Sequence, residues 1–187
     1  QARAVLASGK HVICEKPLAM DARQAADLVE LARATKKVGA VCHNLRYYPL
    51  CHQARALIHE GAIGASRLVH GSYLQDWLFL PTDWNWRLDP DLGGAQRAVA
   101  DIGTHWLDLA MWLTGQRVVR VCADLATLLA VRQKPRREIA TFEGKLRAEE
   151  AREDVAIQTE DYGSVLLQFD RGLRGVMTVS QVSAGRK

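Results

Sequence analysis

Two short apolar runs on either side of one amphipathic helix constrain the fold of this chain more than any other feature. The runs are His11–Cys14 and Val38–His43. Between them, Asp21 can cap a helix that extends to about Lys37, with apolar side chains recurring at helical spacing. Because another helix precedes the first run, the order helix, strand, helix, strand predicts a parallel α/β sheet over residues 1–45.

The pattern changes after this segment. Pro49 can begin a helix that ends at Gly61, and a second helix is predicted over residues 101–114. The predicted strands are 68–74, 117–128, 155–161 with 164–169, and 173–182. Short turns between the last strands favour an open, largely antiparallel sheet with helices on one face. The fold class is therefore α/β followed by α+β, with one domain over residues 1–45 and another over 46–187.

Composition and charge exclude some classes of protein. The 187 residues carry a net charge of +4, and no apolar run is long enough to predict a transmembrane helix. Basic residues are scattered except for Arg132, Lys134, Arg136 and Arg137. Acidic residues follow this cluster, so we predict a solvated, mobile insertion over 132–154 rather than a nucleic-acid groove.

The four cysteines contain no C-x-x-C pair and no metal-binding spacing. We therefore expect free thiols in a reducing, cytoplasmic compartment, and no metal site.

Polar residues follow both strands of the predicted parallel pair. Lys16 comes directly after the first strand, and Asn44 and Arg46 come after the second. Ligands bind beyond the carboxyl ends of parallel strands, so these side chains are candidates for a binding site. Lys16 could instead be a solvated surface residue. Arg46 could bind a ligand or pair with a carboxylate that holds two layers together.

A second candidate group lies at the start of the predicted helix 101–114. Asp101, His105 and Asp108 are spaced to share one stripe of that helix. His105 could act as a general base near neutral pH, steered by Asp101. Alternatively, Asp101 is a helix N-cap and His105 a hydrogen-bonded core residue. Asp108 is expected to be structural in either case.

Trp86 and Arg87 are candidates for contact with a ligand in the Trp- and Pro-rich connection. An exposed indole can stack on the apolar face of a sugar, although most Trp residues are structural.

The order and spacing of these motifs resemble the glucose–fructose oxidoreductase, inositol dehydrogenase and MocA (Gfo/Idh/MocA) family. The motifs are Glu15-Lys16-Pro17, Asn44-Leu45-Arg46-Tyr47-Tyr48-Pro49, Trp86-Arg87 before Gly93-Gly94, and Asp101-Ile102-Gly103-Thr104-His105. The resemblance implies an N-terminal Rossmann domain that binds NAD or NADP, a C-terminal substrate domain, and a homo-oligomer formed through the open sheet. It also implies oxidation of a hydroxyl group on a sugar, polyol or cyclitol.

The same resemblance assigns roles to individual residues. Lys16 would stabilise the developing alkoxide, His105 would accept the hydroxyl proton, and Asp101 would orient Lys16 or the substrate. The expected residues on the cofactor side are Glu15, Lys16, Pro17 and Asn44. The expected residues on the substrate side are Arg46, Trp86 and Arg87.

The chain departs from the family pattern because it contains no G-x-G-x-x-G loop. We therefore expect a fragment in which residues 1–45 are the C-terminal remnant of the Rossmann domain, and in which the second domain is incomplete at its C-terminus. Such a piece alone should bind NAD weakly.

Two alternatives remain open. One is a non-catalytic binding or oligomerisation module. The other is a metal-dependent hydrolase or isomerase that uses Asp101, His105, His43 or His52.

Overall fold

The first part of the fold is a small parallel sheet with a helix connecting its strands. The computed structural model describes residues 1–136 and 151–185. The first elements are helix α1 (Ala2–Ala7), strand β1 (Val12–Cys14), helix α2 (Ala22–Thr35) and strand β2 (Gly39–Val41). The two strands pair in parallel, with Val12 opposite Gly39. The Asp21 side chain accepts a hydrogen bond from the Gln24 backbone N–H at 2.8 Å and caps α2, as predicted.

The second part combines short helical segments with a larger sheet. Its helical segments are a 3₁₀ helix (Asn44–Tyr47), α3 (Pro49–His59), a second 3₁₀ helix (Trp86–Leu88), α4 (Pro90–Gly93), a π-helical segment (Val99–Gly103) and α5 (Thr104–Thr114). Its strands are β3 (Leu68–Leu74), β4 (Val118–Ala126), β5 (Val131–Pro135), β6 (Arg152–Ala156), β7 (Tyr162–Phe169) and β8 (Arg174–Ser180). The helix predicted over 101–114 therefore begins with a π-helical turn.

The larger sheet has the strand order β3, β8, β7, β4. Strand β8 pairs antiparallel with β7, and β7 pairs antiparallel with β4, as the turn signals predicted. Strand β3 pairs in parallel with β8, so the sheet is mixed. Local sequence cannot specify this last pairing, because the two strands lie about a hundred residues apart along the chain.

One face of this sheet forms the main hydrophobic core. Leu167 and Met177 are 2% and 0% exposed, and Trp106 and Met111 of α5 pack against that cluster. Leu166 points to the opposite face and is 57% exposed. The period-2 alternation along β7 thus separates a helix-covered face from an open one. Helix α5 covers the core face.

The charged segment around Arg132 is not the solvated loop that its composition predicted. Strands β5 and β6 form an antiparallel hairpin, and the Arg132 side chain is fully buried. Its guanidinium donates to the Leu78 carbonyl at 2.8 Å, the Leu80 carbonyl at 3.0 Å and Asp161 Oδ1 at 2.9 Å. A buried charge is tolerated because these acceptors replace water. Residues 137–150, where the rest of the predicted insertion falls, lie outside the described residues.

The strand predicted over 155–161 is also wrong in its extent. Strand β6 ends at Ala156, because its ladder partner β5 begins at Val131, opposite that residue. All four cysteines are free, as expected. Within residues 1–136 and 151–185, no helix combines the length and the apolarity needed to cross a bilayer.

Candidate active site

Lys16 lies where the first part of the fold meets the second. It follows β1 directly, and its side chain is only 15% exposed. The ammonium donates to the Asp101 carbonyl and to Asp101 Oδ1, each at 2.7 Å. Lys16 is therefore not a solvated surface residue, and it contacts the second candidate group identified from the sequence.

The Asp101 carboxylate accepts hydrogen bonds from two side chains and forms an ion pair with a third. Lys16 holds Oδ1, while Arg87 Nε and Gln181 Nε2 approach Oδ2 at 3.1 Å and 2.8 Å. Asp101 sits inside the π-helical segment, and no side-chain cap was found at the start of that segment or of α5. The helix-cap alternative is therefore wrong. Both carboxylate oxygens are occupied by donors, so the residue is suited to holding cations in place rather than to binding a substrate.

His105 lies in the first turn of α5 and is half-buried. Its ring is 5.6 Å from the His43 ring and 6.2 Å from the Tyr73 ring. Its Nδ1 atom is buried and has no hydrogen-bond partner among the described residues. His105 is therefore not the hydrogen-bonded core histidine of the alternative hypothesis.

The surroundings of His105 favour its neutral form. Burial lowers the pKa of the imidazole below 6.5, and electrostatic interactions with Lys16 and with His43 lower it further. The carboxylates of Asp101 and Asp108 act in the opposite direction and do not reverse the effect. A neutral imidazole beside an ammonium can accept a proton, while the ammonium remains charged.

Arg87 is stacked between two indole rings. Its guanidinium carbon lies 4.5 Å from the Trp86 ring centroid and 5.4 Å from that of Trp77. Nε pairs with Asp101, but Nη1 is buried and has no partner among the described residues. Trp86 itself is 44% exposed, so its ring is accessible to a ligand, whereas Arg87 Nη1 is a buried donor that still needs an acceptor.

The other predicted site residues divide into two groups. Glu15, Pro17 and Asn44 are exposed at the carboxyl ends of β1 and β2, where the sequence predicted them. Arg46 instead forms a bidentate pair with Asp108, with Nε donating to Oδ2 at 2.6 Å. This pairing favours the structural alternative for Arg46 and confirms the structural role expected for Asp108.

No group of three or more potential metal ligands occurs among residues 1–136 and 151–185. The ligand set proposed for a metal-dependent enzyme is thus not brought together within the part of the chain that the structure describes.

Gln181 and Arg97, two buried side chains near Asp101, were not predicted from the sequence. Gln181 directly follows β8, and neither residue was among the predicted site residues. One signal was available: Arg97 stands directly before the small apolar run Ala98-Val99-Ala100, where a charge that becomes buried needs a partner.

Two models of one oxidoreductase family match the two parts of this chain. A model described as the GFO/IDH/MocA C-terminal domain matches residues 51–187, and one described as an oxidoreductase family with an NAD-binding Rossmann fold matches residues 1–43. Levoglucosan dehydrogenase from Pseudarthrobacter phenanthrenivorans is 37% identical over 110 residues, which cover 58% of this chain and 28% of that protein.

Solved structures match the whole chain. An oxidoreductase domain protein from Kribbella flavida superposes with a TM-score of 0.86 at 34% identity, covering 100% of this chain and 47% of the other. Levoglucosan dehydrogenase in complex with NADH and L-sorbose superposes with a TM-score of 0.84 at 29% identity, covering 100% of this chain and 45% of the other. The chain thus spans less than half the length of these relatives.

The described residues provide a strand edge at which a ligand could bind, and the sequence lacks the glycine loop that holds dinucleotide phosphates. Lys16, Glu15 and Asn44 lie at the carboxyl edge of two parallel strands, the edge at which such sheets bind ligands. Arg87 Nη1 is an orphaned donor in the same site. No glycine loop that could hold a pyrophosphate is present in the sequence.

Proposed function

This chain belongs to the GFO/IDH/MocA family of oxidoreductases, and on that basis we propose that the protein oxidises a hydroxyl group on a sugar, polyol or cyclitol with NAD or NADP. The name of the levoglucosan dehydrogenase relative supports this substrate class. We further propose that residues 1–45 are the C-terminal part of the dinucleotide-binding domain and residues 46–187 the substrate domain.

One observation carries this proposal. The Lys16 ammonium contacts Asp101 at 2.7 Å and also acts on the pKa of His105. A fixed cation from the first part and a neutral imidazole from the second part therefore share one site. This pair is what proton removal from an alcohol requires, because the alkoxide that develops needs both a base and a positive charge.

The residues act together as follows. His105 accepts the hydroxyl proton at Nε2, since Nδ1 is buried. Lys16 and Arg87 carry two positive charges and Asp101 one negative charge, so this group has a net charge of +1 that stabilises the alkoxide oxygen. The hydride acceptor for the carbon that carries this hydroxyl would be supplied by NAD or NADP when bound. Glu15, Pro17 and Asn44 shape the cofactor side of the site.

The substrate side is formed by Trp86 and Arg87. Trp86 presents an exposed ring on which the apolar face of a sugar can stack, and Arg87 Nη1 donates to a substrate hydroxyl. Arg46 contributes through its pair with Asp108, which ties the segment after β2 to α5.

Steady-state kinetics on the intact protein test the function. Reduction of NAD⁺ and NADP⁺ is followed at 340 nm with levoglucosan, D-xylose and myo-inositol as probes. We expect Lys16→Met and His105→Gln each to lower kcat by about 100-fold on the accepted substrate. Lys10→Met, an exposed lysine before β1, is the matched control and should retain full turnover.

Near-normal turnover in Lys16→Met or His105→Gln would remove that residue from the mechanism. If the intact protein reduces neither cofactor with any probe, the non-catalytic binding module becomes the better explanation.

We also propose that the open face of the sheet joins two copies of this chain. This face is partly apolar: Leu68 is 64% and Leu166 57% exposed, with Val176 between them. Leu166→Arg should shift the protein to a smaller mass in analytical ultracentrifugation, because an unpaired charge would then face the partner. An unchanged mass would contradict this interface.

A further inference from the structure

A buried chain of polar side chains reaches Asp101 from the side opposite Lys16. Gln181 Nε2 donates to Asp101 Oδ2 at 2.8 Å, and Gln181 Oε1 accepts from Arg97 Nη1 at 3.0 Å. Gln181 and Arg97 are 0% and 1% exposed. These two contacts determine the orientation of the amide, because a flipped amide would face donor to donor at Arg97 and acceptor to acceptor at Asp101.

The far end of this chain is anchored in the core. Arg97 pairs with the buried Asp161, and its Nε donates to Thr159 Oγ1 at 3.0 Å. Asp161 also accepts from Arg132 Nη2 at 2.9 Å and from the Leu129 N–H at 2.8 Å. The Arg97 guanidinium is therefore held on several sides and has little freedom to move.

We propose that Gln181 is a positioning residue for the reaction, backed by Arg97, which holds the Asp101 carboxylate and through it the Lys16 ammonium. Lys16 donates its hydrogen bonds only to Asp101 among the described residues, so the position of the ammonium depends on the orientation of that carboxylate. Gln181 sets this orientation at Oδ2, together with Arg87. The proposal rests on the dehydrogenase function proposed above.

Nuclear magnetic resonance tests the contact without any turnover. The side-chain amide of Gln181 is assigned in the ¹⁵N-labelled intact protein and compared between two variants on neighbouring turns. We expect Asp101→Asn to shift this amide signal, because the charged acceptor is lost. Asp108→Asn, which disturbs the pair with Arg46 rather than the contact with Gln181, should leave the signal in place. If the Gln181 amide signal does not shift in the Asp101→Asn variant, the proposal is overturned.

Kinetics with the accepted probe substrate test the consequence. Gln181→Met keeps the side-chain length and removes both hydrogen bonds, and we expect kcat to fall about 10-fold while KM stays within about 2-fold. Gln75→Met is the matched control. Gln75 is also buried, on the segment that pairs with the end of β8, but it has no side-chain bond to Asp101. Equal kcat values in the two variants would contradict a positioning role.

Gln181→Glu separates positioning from simple packing. At low pH the introduced carboxyl is protonated and can donate to Asp101 Oδ2. At high pH it ionises, repels Asp101 and turns towards Arg97. The ratio of variant kcat to unsubstituted kcat should therefore fall as pH rises, whereas the Gln181→Met ratio stays flat. A flat ratio for Gln181→Glu as well would favour packing and overturn the proposal.

These outcomes also distinguish the two proposals. If the Gln181 amide signal shifts in Asp101→Asn but the protein oxidises none of the probes, the proposed function is contradicted and the contact is supported. If the protein oxidises a probe and Gln181→Met does not lower kcat, the positioning role is contradicted and the proposed function is supported.

Discussion

Replacing Asp101 by asparagine is the most informative single change at this site. The substitution preserves shape but removes one negative charge and one acceptor oxygen. In the structure Lys16 approaches Oδ1, while Arg87 and Gln181 approach Oδ2. The asparagine amide has only one acceptor oxygen, so in either orientation its NH₂ group faces at least one of these donors.

The expected cost follows from the burial of the partners. Asp101, Lys16 and Arg87 have side chains that are 8%, 15% and 17% exposed, so water screens the charges little. Removing one partner of a buried ion pair costs about 3–5 kcal/mol, because the other charge stays buried without compensation. We expect a loss of about 3 kcal/mol for Asp101→Asn, at the lower end, because Lys16 and Arg87 retain some access to solvent.

Urea unfolding of the intact protein, followed by tryptophan fluorescence, measures this loss. Asp27→Asn is the control, since Asp27 is 54% exposed in an ion pair with Arg3 and should change the free energy of unfolding by less than about 1 kcal/mol. A loss for Asp101→Asn no larger than that of the control would refute the view that this carboxylate holds two buried cations. The same variant should also lose turnover, because Lys16 is no longer held.

Three further perturbations test other parts of the structure. His43→Gln removes an imidazole whose electrostatic interaction lowers the pKa of His105, so the His105 titration followed by NMR should move to higher pH; a midpoint that does not rise would contradict the assignment. Asp161→Asn should cost about 3–5 kcal/mol in urea unfolding. Burial raises the pKa of Asp161, but hydrogen bonds from the Leu129 N–H and from Arg97 bring this pKa below 3.8 overall. In the unsubstituted protein, the ionised Asp161 therefore stabilises the fold fully above pH 3.8, and this contribution is lost as the pH falls through the lowered pKa. Gly71→Ala would place a Cβ atom 2.5 Å from Trp106 Nε1 and should lower the free energy of unfolding by about 1–3 kcal/mol. An unchanged free energy of unfolding would mean that the Trp106 side chain shifts at little cost.

Much of the candidate site could be predicted because its residues follow local rules. Lys16, Asn44 and Arg46 were identified because they follow two strands whose carboxyl ends meet at one edge, and the structure has those strands in parallel. His105 was identified from its residue type and helical position. The contact between Lys16 and Asp101 could not be derived from spacing, because it joins residues 85 positions apart.

The misplaced expectations have one physical cause in common. Arg132 was assigned to a solvated loop because charged runs usually face water, and Arg97 was not among the predicted site residues. Both are buried, and Asp161 forms an ion pair with each of the two guanidinium groups. A sequence reveals the charge of each side chain, but it does not reveal whether a partner will be present after folding to offset the loss of water.

The amino-acid sequence by itself determined the elements that depend on neighbours along the chain: the Asp21 cap of α2, the start of α3 at Pro49, the β7–β8 hairpin and the alternation along β7. Only the tertiary structure decided the parallel pairing of β3 with β8, and the convergence of Lys16, Arg87 and Gln181 on one carboxylate. The difference is physical. Caps and turns are stabilised by contacts within a few residues, whereas an ion cluster is stable only when distant segments meet and together exclude water.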